Sequence, residues 1–175
     1  MTGALPELLF SEDRIAARIK EIAASIAASP VRPDIVAPVL VGALVFAADL
    51  MRALAHQGIH PGIEMLWLNS YGDGHSAKEI SVLHAPGEKV RGHHVLIADG
   101  VLDSGRTAQK AATLLREAGA ASVRIAVAVD KSRVDAVAKA DFACFNDVPE
   151  FIVGYGMDDA GRWRALPYIG FVRTA

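Results

Sequence analysis

Hydrophobic residues follow two different periods along this chain, and the first of them is helical. After Ser11, isoleucines recur at intervals of three or four residues, at positions 15, 19, 22 and 26. This spacing places them on one face of an α-helix. Ser11 can cap that helix, and the acidic residues at 12–13 suit its positive end. The pattern predicts a helix that ends at Ser29–Pro30.

Runs of mostly apolar residues without a helical period alternate with two further helical stretches. The runs are IVAPVL (35–40), IEMLWLN (63–69), HHVLIAD (93–99) and SVRIAVAVD (122–130). The helical stretches cover residues 43–56 and 107–119. Almost continuously apolar strands that alternate with helices of about 10–15 residues are typical of a parallel sheet covered on both faces. The sequence therefore predicts an α/β fold, with a twisted parallel sheet flanked by helices.

Two segments lie outside this alternation. SYGDGHSAKEISVL (70–83) has two glycines and no helical period, which predicts a long loop with a short hairpin at its base. The tail from residue 142 onward is aromatic and glycine-rich, with the short strand-like pieces FIVGY and YIGFV. We expect one domain over residues 1–175, with its core at about 30–135 and a small flap formed by about 141–175 together with part of the N-terminus.

The composition limits the class of protein. A chain of 175 residues, 52% hydrophobic and 22% charged, has the size and character of one globular domain. A net charge of −2 and a pI near 6.3 argue against a nucleic acid as its main partner. No run of about 18 apolar residues is present to span a membrane, and the N-terminus carries no secretory signal pattern. We therefore expect a cytoplasmic protein without a membrane partner.

Cysteine usage excludes a cysteine-based metal cluster, and histidine usage argues against a histidine metal site. Cys144 is the only cysteine, so neither an internal disulfide nor a cysteine-based zinc cluster is possible. Its aromatic neighbours predict that it is a small buried hydrophobe. The six histidines are scattered along the chain and do not form the pattern of a metal site.

Polar chemistry is concentrated in VLIADGVLDSGRT (95–107), where a buried strand meets a predicted helix. Ligands bind beyond the carboxyl ends of parallel strands, and successive N–H groups at a helix N-terminus favour an anion such as phosphate. Asp99 can accept hydrogen bonds from a ribose diol or bind Mg²⁺, and Asp103 can act as a general base. The alternative is an ordinary strand-to-helix turn in which both carboxylates only cap and solvate the chain. The dinucleotide-binding and P-loop glycine patterns are absent.

The same segment resembles the phosphoribosyl pyrophosphate signature of type I phosphoribosyltransferases. Five other segments are similar to hypoxanthine-guanine phosphoribosyltransferases in order and spacing: LLFSEDRIAARIKEIA, VGALVFAADL, the Ser70–Tyr71 pair, Lys131, and PEFIVGYGMDDAGRWRALPYIG. The resemblance implies the type I phosphoribosyltransferase fold, with a small hood made of terminal segments. It also implies transfer of a phosphoribosyl group to a 6-oxopurine, with Mg²⁺ as cofactor and release of pyrophosphate, in purine salvage.

The resemblance implies that four of the matching residues bind the purine base. Asp103 is implied to lie near N7 of the base and to act as acid or base. Lys131 is implied to contact the exocyclic oxygen, Phe151 to stack on the base, and Ile152 to meet its edge through backbone groups. A buried lysine that needs an acceptor would favour a 6-oxopurine, because a 6-amino group would leave it unpaired.

Other matching residues are implied to bind the donor. Asp99 and Asp158 are implied as Mg²⁺ ligands, with Asp99 also a candidate for the ribose diol, and Arg164 is implied to touch pyrophosphate. The remaining positions are the 5'-phosphate turn of Ser104, Gly105, Arg106 and Thr107, the pyrophosphate loop at Val41 and Gly42, and the closing loop that carries Ser70 and Tyr71.

Two positions depart from the family pattern. Gly100 follows Asp99 where the pattern has a second acid, so one ribose or Mg²⁺ contact is missing. Val41 precedes Gly42 where the family usually has a lysine, so a side-chain charge is missing from the pyrophosphate loop. Because the purine side is nearly intact, these departures indicate a diverged member of the family.

Three functions stay open at the level of sequence. The first is the transferase reaction, and the second is a catalytically weak or inactive protein of this fold that binds a purine nucleotide as an effector. A pyrimidine or other phosphoribosyltransferase is the third, which Lys131 and Phe151 disfavour. The resemblance also implies a homodimer or homotetramer, for which the apolar stretch VFAADLMRAL (45–54) is an interface candidate.

Overall fold

The computed structural model describes residues 5–71 and 79–172, and for residues 69–71 and 79 it describes the backbone only. The helices in these ranges are α1 (Glu12–Ala28), α2 (Leu44–His56) and α3 (Arg106–Glu117), with a 3₁₀ turn at Glu88–Val90. The strands are β1 (Glu7–Phe10), β2 (Ile35–Leu40), β3 (Gly62–Ile63), β4 (Leu66–Tyr71), β5 (Glu79–His84), β6 (His94–Leu102), β7 (Ser122–Asp130), β8 (Phe142–Asn146), β9 (Ile152–Val153) and β10 (Ile169–Phe171). No helix of the described ranges is long and apolar enough to cross a bilayer.

A large sheet forms the centre of the molecule, with strand order β5-β4-β2-β6-β7-β8 and with β3 paired to β2. Neighbouring strands of this sheet pair in parallel, except β4 and β5, which pair antiparallel. The predicted α/β architecture is therefore correct. The predicted strand at 63–69 is in fact two strands, because β3 pairs with the start of β2 and β4 with its end.

The hairpin predicted at the base of the 70–83 segment is confirmed by the antiparallel pairing of β4 and β5, and the loop itself is shorter than expected. Ser70 and Tyr71 are the last residues of β4, where they pair with Ile80 and Glu79 of β5. The backbone ladder between these antiparallel strands carries the structure two residues further than the side-chain pattern indicated. Residues 72–78, the middle of the expected loop, lie outside the described residues.

Each face of the large sheet is covered by its own apolar core. The four isoleucines of α1 are buried with α2 on one face, and α3 packs on the other face. Ser11 caps α1 as predicted, its side chain accepting a hydrogen bond from the Arg14 N–H. The interface candidate at 45–54 stays a prediction: Phe46, Leu50 and Leu54 are fully buried, because this face of α2 packs on the sheet and on α1, and the opposite face of the stretch carries exposed side chains.

A small antiparallel sheet of order β1-β10-β9 joins the two ends of the chain. Phe10 in β1 stacks on Phe145 in β8, with ring centroids 3.7 Å apart, and so ties the small sheet to the large one. The expected flap segment began at about residue 141, but β8 pairs in parallel with β7 and belongs to the large sheet. The second sheet carries the segment from Phe151 onward over the carboxyl end of the central strands.

Candidate active site

The turn between β6 and α3 has the geometry of an anion cradle. Gly105 is the N-cap of α3 and has φ +75°, a conformation that glycine adopts without steric cost. The first N–H groups of α3, starting at Arg106 and Thr107, have no acceptor within the helix and point along the positive end of its dipole. This turn therefore presents free N–H groups at residues 104–107, the kind of backbone arrangement that binds anions at helix N-termini.

The connection between β7 and β8 supports this turn from outside. The Val137 N–H donates to the Ser104 carbonyl at 2.9 Å. A Cβ on Gly105 would lie 2.7 Å from the Ala138 nitrogen, so only glycine allows the two backbones this approach. The turn at 104–107 is therefore held by tertiary contacts as well as by its own sequence.

Asp103 and Lys131 lie side by side because β6 and β7 end together. Leu102 pairs with Asp130 across the two strands, and the Lys131 N–H donates to the Leu102 carbonyl at 2.9 Å. The Lys131 side chain is mostly buried, with its Nζ 3.9 Å from Asp103 Oδ2. The proposed base and the proposed contact to the purine oxygen thus share one edge of the sheet.

Sequence analysis missed a second cation on Asp103. Arg133 Nη1 lies 3.1 Å from Asp103 Oδ1, whereas Lys131 Nζ lies nearer to the other carboxylate oxygen, Oδ2. Only the position of Arg133, two residues beyond Lys131, hinted at this contact. Nothing in the local pattern shows that the loop folds back towards Asp103.

A pocket of about 290 Å³ opens at the carboxyl end of β2 and β6. Seven of the predicted site residues line it: Val41, Gly42, Asp99, Phe151, Ile152, Asp158 and Arg164. Gly100, Val101 and Met157 complete its wall. Asp103, Lys131 and the turn at 104–107 are not part of this lining and lie next to it, at the ends of β6 and β7. The volume is close to the lower end of small-molecule sites, about 300 Å³.

Asp99 lies within β6 and not at its end, which corrects the prediction that this strand stops at residue 99. The ladder with β7 continues from Asp99 to Leu102, so the Asp99 carboxyl is held among sheet residues. Burial raises its pKa to about 7, although the hydrogen bond from the Gly100 N–H at 2.7 Å lowers it. Asp99 therefore holds its proton to a much higher pH than an ordinary aspartate does.

Asp158 and Arg164 form a pair on the wall of the pocket. Arg164 Nη2 lies 2.6 Å from Asp158 Oδ1, and Arg164 Nη1 donates to the Gly156 carbonyl at 2.6 Å. The Gly161 N–H donates to the other Asp158 oxygen at 2.6 Å. The hood thus presents a fixed cation and a fixed carboxylate to the same space.

The Gly100 departure is built into the packing of the pocket floor. A Cβ on Gly100 would lie 3.1 Å from both the Gly42 carbonyl oxygen and Met157 Cγ. A Cβ on Gly156 would come within 2.5 Å of the same Gly42 oxygen. A second acid at position 100 would therefore require its neighbours to shift. Beside it, the Leu40–Val41 peptide bond is cis, and the Val41 side chain is exposed.

Phe151 is 49% exposed at the mouth of the pocket, and the adjacent Ile152 is buried. An aromatic ring exposed beside a pocket can stack on a planar ligand. The side chains of Ser70 and Tyr71 lie outside the described part of the chain, so their predicted role in closing the site remains a prediction.

Comparison with known proteins agrees with this geometry. The phosphoribosyl transferase domain family matches residues 9–160. The hypoxanthine-guanine phosphoribosyltransferase of Bacillus subtilis is 34% identical over 178 residues, covering 100% of this chain and 97% of that protein. The bifunctional protein TilS/HprT of Listeria innocua is 34% identical over 99% of this chain, which spans 27% of that longer protein.

Solved structures give the same result. The hypoxanthine phosphoribosyltransferase of Trypanosoma cruzi, in complex with the product IMP, has a TM-score of 0.86 at 29% identity, over 99% of this chain and 97% of that one. The enzyme of the same name from Staphylococcus aureus has a TM-score of 0.85 at 28% identity, over 95% and 91% of the two chains. The expected type I phosphoribosyltransferase fold is confirmed, and the chain belongs to the phosphoribosyltransferase family.

Proposed function

We propose that this protein transfers a phosphoribosyl group from phosphoribosyl pyrophosphate to hypoxanthine or guanine and releases pyrophosphate, a purine salvage reaction. One observation carries the proposal: the carboxyl edge of the large sheet holds an anion cradle, a carboxylate beside a lysine, and a pocket with an exposed aromatic ring. The names of the relatives, hypoxanthine-guanine phosphoribosyltransferases, support the same reaction.

On the purine side, Asp103 acts as the base and Lys131 as the hydrogen-bond donor. The purine loses its N7 proton to the Asp103 carboxylate as the bond from N9 to C1' forms. The bond from C1' to the pyrophosphate oxygen breaks, and its electron pair leaves on that oxygen. Lys131 Nζ, 3.9 Å from Asp103, reaches the 6-oxygen because N7 and O6 lie on one edge of the base. Phe151 stacks on the ring.

On the donor side, the turn at 104–107 holds the 5'-phosphate and Arg164 meets the pyrophosphate, next to Val41 and Gly42. Asp99 accepts hydrogen bonds from the ribose hydroxyls. Positive charge develops on the ribose in the transition state and negative charge on the leaving group. Charges that are already fixed at both ends stabilise that state more than the ground state.

Mg²⁺ is the proposed cofactor. Within the described ranges, no group of three or more histidine, cysteine or carboxylate side chains is arranged to hold a metal. Mg²⁺ in phosphate sites usually needs only one or two carboxylates, and Asp99 and Asp158 supply two on one pocket. When bound with the donor, Mg²⁺ neutralises charge on the leaving pyrophosphate. Asp158 must exchange part of its pairing with Arg164 to become a ligand.

The test is direct formation of inosine or guanosine monophosphate by the purified protein. We expect activity that EDTA abolishes and excess Mg²⁺ restores. Asp103→Ala should lower kcat by about a hundredfold or more, because a general base is lost. Asp13→Asn, which removes an exposed carboxylate of α1, is the matched control and should leave kcat unchanged. A wild-type protein that binds both substrates and makes no nucleotide would refute the proposal.

A second candidate is a protein of this fold that binds a purine nucleotide as an effector, with little or no turnover. Gly100 and Val41 favour it, because each removes a polar side chain from the donor pocket. Calorimetry separates the two functions. An effector protein binds guanosine monophosphate equally well with and without Mg²⁺ and produces no nucleotide from the base.

We also propose a homo-oligomer, a homodimer or homotetramer, located in the cytoplasm. Support for self-association is an apolar face on the edge of the large sheet, formed by Ile63, Met65, Trp67 and Leu83, all of them exposed. The buried free thiol of Cys144 is compatible with a reducing compartment.

A further inference from the structure

Arg133 is held by two carboxylates from different parts of the chain. Its Nε and Nη2 donate to the two oxygens of Asp135, at 2.9 and 2.8 Å, and its Nη1 donates to Asp103 at 3.1 Å. A bidentate pair of this kind fixes the plane of the guanidinium group. Asp135 therefore orients Arg133, and the third donor of Arg133 points at the base proposed for the transfer reaction.

The two contacts of Asp103 fall on different oxygens. Arg133 occupies Oδ1, whereas Lys131 Nζ lies 3.9 Å from Oδ2. Under the proposed function, Lys131 meets O6 of the purine, and N7 is the neighbouring atom on that edge. The oxygen on the lysine side, Oδ2, is then the one that faces N7. Without Arg133, rotation about the terminal torsion of Asp103 would be limited mainly by Lys131, because such torsions are broad.

We propose that Arg133 is a positioning residue, oriented by Asp135, which fixes the carboxylate of Asp103 so that Oδ2 receives the purine N7 proton. This inference rests on the proposed transferase function. Arg133 does not line the pocket, and its contacts are with the two aspartates. The two ion pairs of Arg133 are exposed, and exposed ion pairs add little to stability. We therefore expect Arg133 to act mainly on the orientation of Asp103.

Kinetics of Arg133→Gln test the proposal. We expect kcat to fall by about tenfold, because a misplaced catalytic group lowers the rate without weakening binding, and the KM for the purine to change by less than about twofold. Arg133→Lys should retain intermediate activity, since one ammonium can reach Asp103 but cannot also make the bidentate pair. Asp135→Asn should lower kcat in the same direction, although residue 135 makes no contact with Asp103 in the structure.

Two further measurements separate positioning from a merely structural role. Guanidinium ions, far below denaturing concentrations, should partly restore Arg133→Ala, whereas sodium chloride at equal ionic strength should not. In an Asp103→Ala background, Arg133→Gln should have no further effect on the residual rate, because Arg133 acts only through Asp103. Arg116→Gln, an exposed arginine of α3, controls for the change in net charge.

The outcomes of this experiment are distinct. An active wild type whose rate Arg133→Gln leaves unchanged overturns the inference and leaves the transferase function intact. Equal losses from Arg133→Gln with and without Asp103, or a fall in melting temperature that accounts for the lost activity, also overturn it. A wild type that makes no nucleotide overturns the transferase function, and the inference with it.

Discussion

Asp99 lies inside β6, whereas Asp103 is the first residue after that strand. The Asp99 carboxyl is half-buried, and burial raises its pKa to about 7, far above the ordinary value of 3.8. Asp103, only four positions along, is half-exposed and lies between two cations. Two aspartates of one signature therefore have different environments, which suits one to the donor and the other to proton transfer.

Asp99→Asn should stabilise the metal-free protein at high pH. Folding raises the pKa of Asp99 from 3.8 to about 7. Between these two pH values the folded protein keeps the proton on Asp99, whereas the unfolded chain has lost it. The stability of the wild type therefore falls as pH rises through this window and levels off above it. The variant lacks this loss, so its melting temperature should exceed that of the wild type by a few degrees at pH 8, and the difference should shrink towards pH 5.

Thermal melts in EDTA between pH 5 and 8.5 check this, with Glu117→Gln, an exposed carboxylate of α3, as the control for net charge. A difference between Asp99→Asn and wild type that stays constant with pH would contradict the raised pKa. The same substitution should weaken Mg²⁺-dependent activity, because an amide is a poorer Mg²⁺ ligand than a carboxylate.

Cys144 should be inert in the folded protein. Its thiol is buried in β8, and burial raises its pKa to about 12. The thiolate is the form of cysteine that reacts with alkylating reagents. Because of the raised pKa almost no thiolate is present at pH 8, and because the side chain is buried the reagent cannot reach it. Iodoacetamide should leave the native protein unlabelled and should label it at one site per chain in denaturant. Rapid labelling of the native protein, followed by mass spectrometry, would show that β8 is open to solvent.

At the scale of elements, the turn at 104–107 depends on one backbone conformation. Gly105→Ala introduces a side chain at φ +75° and places its Cβ 2.7 Å from the Ala138 nitrogen, a backbone atom that cannot move away easily. We expect a loss of about 1–3 kcal/mol in stability from the strained conformation, and a steep rise in the KM for phosphoribosyl pyrophosphate. Gly58→Ala is the control, because it has φ +73° with nothing within 4 Å of its Cβ.

Melting temperature and steady-state kinetics distinguish the two alanine variants. Gly58→Ala should lose only about 1–2 kcal/mol of stability, from the left-handed conformation itself, and should keep the KM of the wild type. If Gly105→Ala retains both stability and KM, the connection that carries Ala138 does not support the turn.

Local patterns predicted the elements of this fold better than the contacts between them. The period of the isoleucines defined α1, and the apolar runs defined β2 and β7 with the observed bounds. The extension of β6 to Leu102 and of β4 to Tyr71 comes from backbone pairing with a neighbouring strand, which side-chain patterns do not report.

The residues of the candidate site also fall into those that local sequence predicted and those that depend on contacts between distant segments. Asp103, Lys131 and the glycine of the turn are close in sequence to strand ends, so topology alone brings them to one edge of the sheet. Arg133 was missed because its contact depends on how the loop after β7 folds back. The packing of Gly100 against the Gly42 carbonyl was also invisible, since it joins two turns far apart in sequence.

On the scale of the whole molecule, the large sheet is unequally covered. α2 packs over β2 and β6 on one face, whereas the adjacent part of β4 on that face leaves Trp67 45% exposed. Met65 and Ile63 extend this uncovered surface along the chain, and Leu83 lies on the neighbouring β5. Aromatic residues and methionine are enriched in protein interfaces, and a cluster of them on one sheet face is costly to leave in water.

Trp67→Glu should therefore dissociate the proposed oligomer. Light scattering after size exclusion should give the wild type at least twice the 18.5 kDa of one chain, and the variant one chain mass. The introduced carboxylate would have to be buried without a partner in the interface, which is strongly unfavourable. Leu8→Glu, at a similarly exposed apolar position on the small sheet, should keep the wild-type mass. A monomeric wild type, or an unchanged mass for Trp67→Glu, would move the contact surface elsewhere.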